Sequence, residues 1–212
     1  MFDLAGRIQD LVVRIPVFLL ALTIHEFAHG WLASRLGDPT ARLQGRLTLN
    51  PLAHLDPIGT LAIVLIGFGW ARPVPVDFRY LKQPRRDMML IAAAGPVSNL
   101  ILGAACAFCY RMIPWGAGGP EWAWLLLPVR TMLRTGVWVN VVLAVFNLLP
   151  VPPLDGSRVV SGLLPLRHAI SYSRLEPYGF VIIFLLFFTG IMDPVFGVAV
   201  RTVTLALFRM WG

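Results

Sequence analysis

His25-Glu26-Phe27-Ala28-His29 stands inside a long apolar run near the start of the chain. On a helix, residues four apart lie about 40° apart around the axis, so both imidazoles can reach one ion. Glu26 falls on the flank of that face, where its carboxylate can touch an ion-bound water without joining the ligands. Two histidines at this spacing, with a glutamate after the first, form the zinc pattern in which the glutamate is a general base. The setting sharpens the pattern. A carboxylate in the middle of a membrane helix costs about 2.5–3.5 kcal/mol to insert, so a functional role is the default reading. The competing reading is a polar patch that hydrogen-bonds neighbouring helices.

Two histidines do not hold zinc alone; a catalytic site takes three protein ligands and keeps one position open. One known solution is a third histidine ten residues after the first, in an extension that contains glycine. Here that position is Arg35, and Leu32 replaces the glycine. Glu121 and Glu176 sit in no convincing motif. Asp155 is the better candidate, in Asn147-Leu148-Leu149-Pro150-Val151-Pro152-Pro153-Leu154-Asp155-Gly156. The prolines uncoil the backbone, Gly156 permits a tight turn, and an aspartate beside such a break can be aimed at a fixed point. Irregular backbone at membrane depth is tolerated only when buried in protein or lining a wet cavity. The alternative is an aspartate that caps a loop at the membrane surface.

The elements that must position these residues follow from composition and hydropathy. A soluble domain is about 45–50% apolar and about 25% charged. This chain of 212 residues is 57% hydrophobic and 14% charged, with mean hydropathy +0.72. A cytosolic domain, a disordered tail and a coiled coil are excluded. The expected fold is an all-α polytopic membrane protein with about five to six transmembrane helices at about 20 residues each. A short membrane-associated β-hairpin and re-entrant region accompanies them. The whole of 1–212 reads as one domain, with a core over 11–166 and C-terminal helices over 175–211. A first span covers 11–36 and reads as a retained helix, not a removed signal. Residues 41–49 alternate in polarity, which predicts a hairpin or strand pair at the membrane surface. Residues 58–70 are apolar but short for a span, as a re-entrant piece would be. Arg72-Pro73-Val74-Pro75-Val76-Asp77 must be extended. Further helices are expected over 88–112, 122–149, 157–166, 175–192 and 194–210.

Lys and Arg number 18 against 11 Asp and Glu, for a net charge of +7. The basic residues fall mostly between apolar runs, which favours a membrane-side bias over nucleic-acid binding. Residues 35–50, 70–87 and 157–174 carry them, while 113–121 and 190–194 hold none. The positive-inside rule makes the first three sets cytoplasmic. Both flanks of 58–70 then lie on one side, and the N-terminus lies outside, with which Arg7 and Arg14 fit poorly.

With these residues in view, the chain resembles the site-2 protease family of intramembrane zinc metalloproteases, in its compact branch without PDZ or CBS domains. The resemblance rests on five ordered blocks over roughly 15–165: His25-Glu26-x-x-His29; Asn50-Pro51-x-x-His54-x-Asp56-Pro57-x-Gly59-Thr60; Gly69-Trp70-Ala71-Arg72-Pro73-Val74-Pro75-Val76; Ala94-Gly95-Pro96-x-Ser98-Asn99; and Asn147-x-x-Pro150-x-Pro152-x-Leu154-Asp155-Gly156. It implies that His25, His29 and Asp155 bind one zinc ion per chain and that Glu26 is the catalytic acid–base. It also implies membrane-anchored regulators as substrates, often already trimmed by another protease, in regulated intramembrane proteolysis. The protein is expected in the cell membrane as a multi-pass protein, its active site toward the cytoplasmic side.

The developing oxyanion needs a donor besides zinc. Asn147, on the proline-broken stretch, is the first choice, and the family pattern also puts an asparagine there. His54 is the second, against a turn-stabilising hydrogen bond as its rival role. Asn99, among Gly95, Ser98 and Gly103, reads as packing glue between helices. Cys106 and Cys109 read as small buried hydrophobes, His168 as an exposed loop histidine, and Trp115, Trp122, Trp124 and Trp211 as interfacial anchors. A helical substrate must unwind before cleavage, and the 41–49 and 71–78 stretches could offer it a strand edge. Two rival classes are a metal transporter, which should show repeats or a route of polar sites that this chain lacks, and an inactive scaffold of protease ancestry.

Overall fold

The computed structural model describes residues 4–57, 59, 72–113 and 119–211. Three long helices dominate it: α1 (Leu4–Leu36), α3 (Pro84–Met112) and α4 (Ala123–Asn147), with the single turn α2 (Thr40–Leu43) between the first two. Four shorter ones follow: α5 (Asp155–Leu163), α6 (Leu166–Ser173), α7 (Gly179–Phe188) and α8 (Asp193–Arg209). α3 is the hub. It packs against α1, α4, α5 and α8, and α1 also meets α4.

Four stretches are long and apolar enough to cross a membrane: Val12–Leu36, Pro84–Met112, Ala123–Asn147 and Leu166–Phe188. The last joins α6, the turn Glu176–Tyr178 and α7, and begins nine residues before the predicted 175. α8 has 17 residues, fewer than the about 20 that a span needs. The described residues thus give four candidate spans against the five to six expected. Ile101, Phe184, Phe188 and Val198 are exposed on the outer faces of these helices. Water would penalise such apolar faces and hydrocarbon accepts them.

Between the spans, small residues let backbones approach. A Cβ on Gly103 would touch Leu207 and Asn140, and one on Gly136 would press on the Cys106 sulfur. Ala107, Val137, Val141, Val200 and Leu207 close the core where α3, α4 and α8 meet. Cys106 packs half-buried against this cluster, whereas Cys109 is exposed, against its reading as a buried hydrophobe. Helix ends are capped from outside: the Arg130 Nη1 donates to the Ile113 carbonyl at 2.7 Å, and its guanidinium lies over the Tyr110 ring.

The expected hairpin over 41–49 does not form; no strand occurs among the described residues. Asp38 decides this locally. Its Oδ1 accepts from the Thr40 N–H at 2.9 Å and from the Thr40 hydroxyl, which starts the turn α2. The alternation also lacks a common buried face, since Ala41 is buried while Leu43 and Leu49 are exposed. The predicted re-entrant piece over 58–70 lies almost entirely outside the described residues. Its flanks meet, however: the Arg72 N–H donates to the His54 carbonyl at 2.9 Å. The second Asp38 oxygen accepts from the Asp77 N–H at 2.7 Å, which ties the loop after α1 to the segment before α3. In the turn that follows, the Arg79 guanidinium and N–H hold the half-buried Asp77 carboxyl below its usual pKa.

Asp38 is fully buried and serves three donors. Asp38→Ala strands them and should cost about 3 kcal/mol. A lower midpoint of thermal denaturation in detergent, with zinc uptake retained once folded, is the expected result; an unchanged midpoint contradicts it.

Candidate metal centre

His25 and His29 lie one turn apart in the middle of α1 and turn their rings toward α3 and α5. Their Nε2 atoms are 3.0 Å apart. The Asp155 Oδ2 lies 3.1 Å from the Nε2 of His25 and 3.3 Å from that of His29. Tetrahedral zinc with bonds of about 2.0–2.1 Å spaces its donors about 3.3 Å apart. The triangle therefore fits that ion.

Chemistry supports the fit as well as spacing. The Nδ1 of His29 is 2.7 Å from the Ile91 carbonyl, which can only accept, so Nδ1 carries the proton. The Nδ1 of His25 faces the Asn99 Oδ1 at 2.6 Å. With both Nδ1–H groups engaged behind the rings, lone pairs on both Nε2 atoms confront a carboxylate. Three acceptors with little exposure to solvent call for a cation.

Two glycines make the convergence possible. A Cβ on Gly95 would lie 2.6 Å from the His25 Cε1 and Nε2 and closer still to the His29 Nε2, so α3 must be bare there. A Cβ on Gly156 would collide with the Leu148 and Leu149 carbonyls, so α5 can start hard against the end of α4 only without one. Asp155 is the first residue of α5, two residues earlier than the helix was predicted to begin. A carboxylate in a first helical turn is favoured by the helix dipole. The Leu154 N–H donates to the Val151 carbonyl at 3.0 Å, and the Tyr172 hydroxyl to the Pro150 carbonyl at 2.7 Å, which pins the proline stretch.

Glu26 is buried, and its Oε2 accepts from the Val74 N–H at 2.9 Å. The carboxylate thus stands between the histidine pair and the proline-extended segment over 72–77. Arg46 clamps the same segment: its Nη2 donates to the Arg72 carbonyl at 2.7 Å and more weakly to that of Pro73. Burial and the neighbouring Arg72 lower the Arg46 pKa, while the field of Glu26 raises it.

The structure brings His25, His29 and Asp155 together, with Glu26 alongside. The two suggested oxyanion donors are engaged elsewhere. The Asn147 amide donates to the Leu143 carbonyl of its own helix at 3.0 Å. The His54 Nε2 donates to the Thr48 carbonyl at 2.8 Å, the turn-stabilising role named as its rival. Its Nδ1 is buried and has no partner among the described residues. Sequence reasoning missed Asn99 as the partner of His25, and missed Asn140, whose Oδ1 accepts from the Asn99 Nδ2 at 2.8 Å. The available signal was an uncharged amide in each of two apolar spans. Arg46 was counted only as a loop charge; nothing in its neighbours marks it as buried.

Apolar helices of spanning length, enclosing two histidines and an aspartate about one point, define a membrane protein with a buried metal-binding group. The profile of peptidase family M50 matches residues 121–190. YwhC of Bacillus subtilis (strain 168), named as a candidate zinc metalloprotease, is 45% identical over 179 residues, 82% of this chain and 80% of its own. Rip2 of Mycolicibacterium smegmatis, named likewise, is 28% identical over 194 residues, 86% of this chain and 69% of its own. Rip2 of Mycobacterium tuberculosis (strain H37Rv) is 29% identical over 177 residues, 79% of this chain and 57% of its own. No solved structure matches the chain. The chain belongs to peptidase family M50, the site-2 protease family, as its motifs led one to expect.

Gly95→Ala tests the geometry directly. The added methyl should drive both rings off the triangle and weaken zinc binding about 10–100-fold, as loss of a ligand's support does elsewhere. Chelator competition reads the affinity, and circular dichroism checks that the helices persist. Unchanged affinity in a folded variant would show that α3 does not set the ring positions.

Proposed function

We propose that this protein is an intramembrane zinc metalloprotease that hydrolyses peptide bonds within or near transmembrane segments of membrane-anchored proteins. The observation that carries the reading is the triangle of His25 Nε2, His29 Nε2 and Asp155 Oδ2 beside the buried Glu26. His25, His29 and Asp155 hold one zinc ion. Zinc held there supplies Lewis acidity, polarising a carbonyl and making water nucleophilic near neutral pH. Glu26 takes the proton from the attacking water and passes it to the leaving amine nitrogen. The Val74 N–H holds one carboxylate oxygen, so the second is the one aimed at the reacting water.

Substrate enters as an extended strand along 72–77. Prolines 73 and 75 keep this segment from coiling. In extended chain, alternate residues face one side, so the carbonyls of Val74 and Val76 and the Val76 N–H point the way of the Val74 N–H that meets Glu26. The latter three take no partner among the described residues. A strand paired with them runs past the general base, with its own backbone groups satisfied by β-augmentation. The oxyanion donor is Asn147 or His54 after release from its present bond.

The active site opens toward the cytoplasm. Three basic loops support this, because they are stitched together at one end of the bundle. Asp38 bonds Asp77, Arg46 bonds the Arg72 carbonyl, and Arg85 donates to the Ser161 and Leu164 carbonyls. His29 lies seven residues before the end of α1 at Leu36 on that side, about 10 Å along the helix.

Two measurements test the proposal. Glu26→Gln should retain zinc at one ion per chain yet cleave a helical membrane peptide about 100-fold more slowly or worse. Undiminished cleavage removes Glu26 from the chemistry. Val76→Pro deletes the N–H offered to the substrate strand and should lower cleavage about three- to tenfold, the worth of one backbone hydrogen bond, with zinc content intact. Equal cleavage by this variant excludes the 72–77 edge.

A further inference from the structure

We infer that Asn99 and Asn140 form a polarity relay that dictates which ring nitrogen of His25 faces the metal position. The relay rests on the zinc reading above and extends it to two residues outside the ligand set.

The direction of every bond in the relay is forced from its far end. The Gly136 carbonyl can only accept, so Asn140 must present its NH2 there, at 2.8 Å. Its Oδ1 therefore faces Asn99 and accepts from the Asn99 Nδ2 at 2.8 Å. The same Nδ2 donates to the Ala21 carbonyl at 3.0 Å, a second group that can only accept. Both amide hydrogens of Asn99 are thus spent, and only Oδ1 remains for the His25 Nδ1 at 2.6 Å. An acceptor at that distance requires a proton on Nδ1, which leaves Nε2 as a bare lone pair aimed at His29 and Asp155.

Burial turns this preference into a rule. Asn99 is 0% and Asn140 1% exposed, so no solvent can substitute for a lost partner. A flipped Asn99 amide would set NH2 against Nδ1–H and oxygen against two oxygens. The relay crosses three helices, from the Gly136 carbonyl in α4 through α3 to the ring on α1. His29 needs no such device, because a backbone carbonyl, that of Ile91, already fixes its Nδ1. Asn99 and Asn140 are positioning residues: Asn99 acts on the ring directly, and Asn140 acts by orienting Asn99.

Chelator competition on the protein in detergent, run without substrate, tests the relay through four variants. Asn99→Leu keeps the branched shape with bulkier ends but offers no acceptor, and its zinc affinity should fall about 10–100-fold. Asn99→Asp keeps an acceptor against Nδ1–H and should hold within about tenfold of wild type, although a carboxylate packs less well than Leu in an apolar bundle. Asn140→Leu should fall between them. Asn99→Ala removes the acceptor without adding bulk and should lose as much affinity as Asn99→Leu; a loss confined to Leu would mark overpacking and refute the relay. Wild-type affinity in Asn99→Leu, or equal losses in the Leu and Asp variants, overturns the relay. Should Asn99→Leu fail to fold, Asn99→Asp against Asn140→Leu decides: an Asp variant that binds zinc no better than Asn140→Leu refutes the relay. Wild-type protein that takes up no zinc instead refutes the metalloprotease reading, and the relay with it.

Discussion

Two imidazole lone pairs and a carboxylate oxygen lie 3.0–3.3 Å from one another inside an apolar bundle, and the rest of the structure is organised around that crowding. Left alone, the arrangement repels itself. A proton can bridge only one pair of the three atoms at a time, whereas a divalent ion satisfies all three. The cost of the crowding is met by groups behind the ligands. Ile91 and Asn99 hold the rings by their rear nitrogens, and the start of α5 holds the carboxylate. Ile91 and Asn99 both belong to α3, Asn140 of α4 backs Asn99, and the carboxylate comes from α5, so the triangle exists only when α1, α3, α4 and α5 are packed together.

Such packing is a matter of what is missing as much as of what is present. Between lipid-exposed helices there is no hydrophobic drive to associate, so contact must come from close approach and polar bonds. Gly95 lets α3 touch the imidazoles, Gly103 and Gly136 bring α3 near α4 and α8, and Gly156 sets α5 on the end of α4. The amides at 99 and 140 supply the polar bonds within that space. Glycine and asparagine therefore do one job in two steps, first admitting a neighbouring backbone and then bonding across the gap.

Much of this was legible in the residues, and the failures have physical causes. The convergence of His25, His29 and Asp155 was readable because its chemistry is local: a four-residue spacing on a helix, and an aspartate beside prolines that must break one. The long spans were readable because hydropathy persists over 20 or more residues. The 41–49 stretch misled because alternation is a proxy for a half-buried strand. Here one carboxylate, Asp38, imposes a helical turn that no periodicity records. His54 and Asn147 were placed by proximity in sequence to the right blocks, yet side-chain direction depends on which carbonyl lies nearest, and Thr48 and Leu143 win. Asn99 could be read as glue between helices, which it is through Ala21 and Asn140. That the same amide also orients a ligand needs the third helix, which only folding supplies.

With zinc bound as proposed, the charges of the site would close to neutrality, which would account for the burial of Glu26. With neutral imidazoles, Asp155 and Glu26 contribute two negative charges and a zinc ion two positive ones. Without the ion, two carboxylates would face a low-dielectric interior, offset only in part by Arg46, which reaches Glu26 through its field and not through a bond. On the proposed reading metal uptake and folding are coupled, because the site's own charge would destabilise the bundle until an ion arrives. The Val74 N–H eases the same problem from the other side, donating to Glu26 from the segment along which substrate is proposed to lie. On the proposed reading, the general base is held by the segment that faces the substrate. On that reading a shift of the segment alters both the alignment of the peptide and the solvation of the group that takes the proton from water, so binding and proton transfer are linked through one amide.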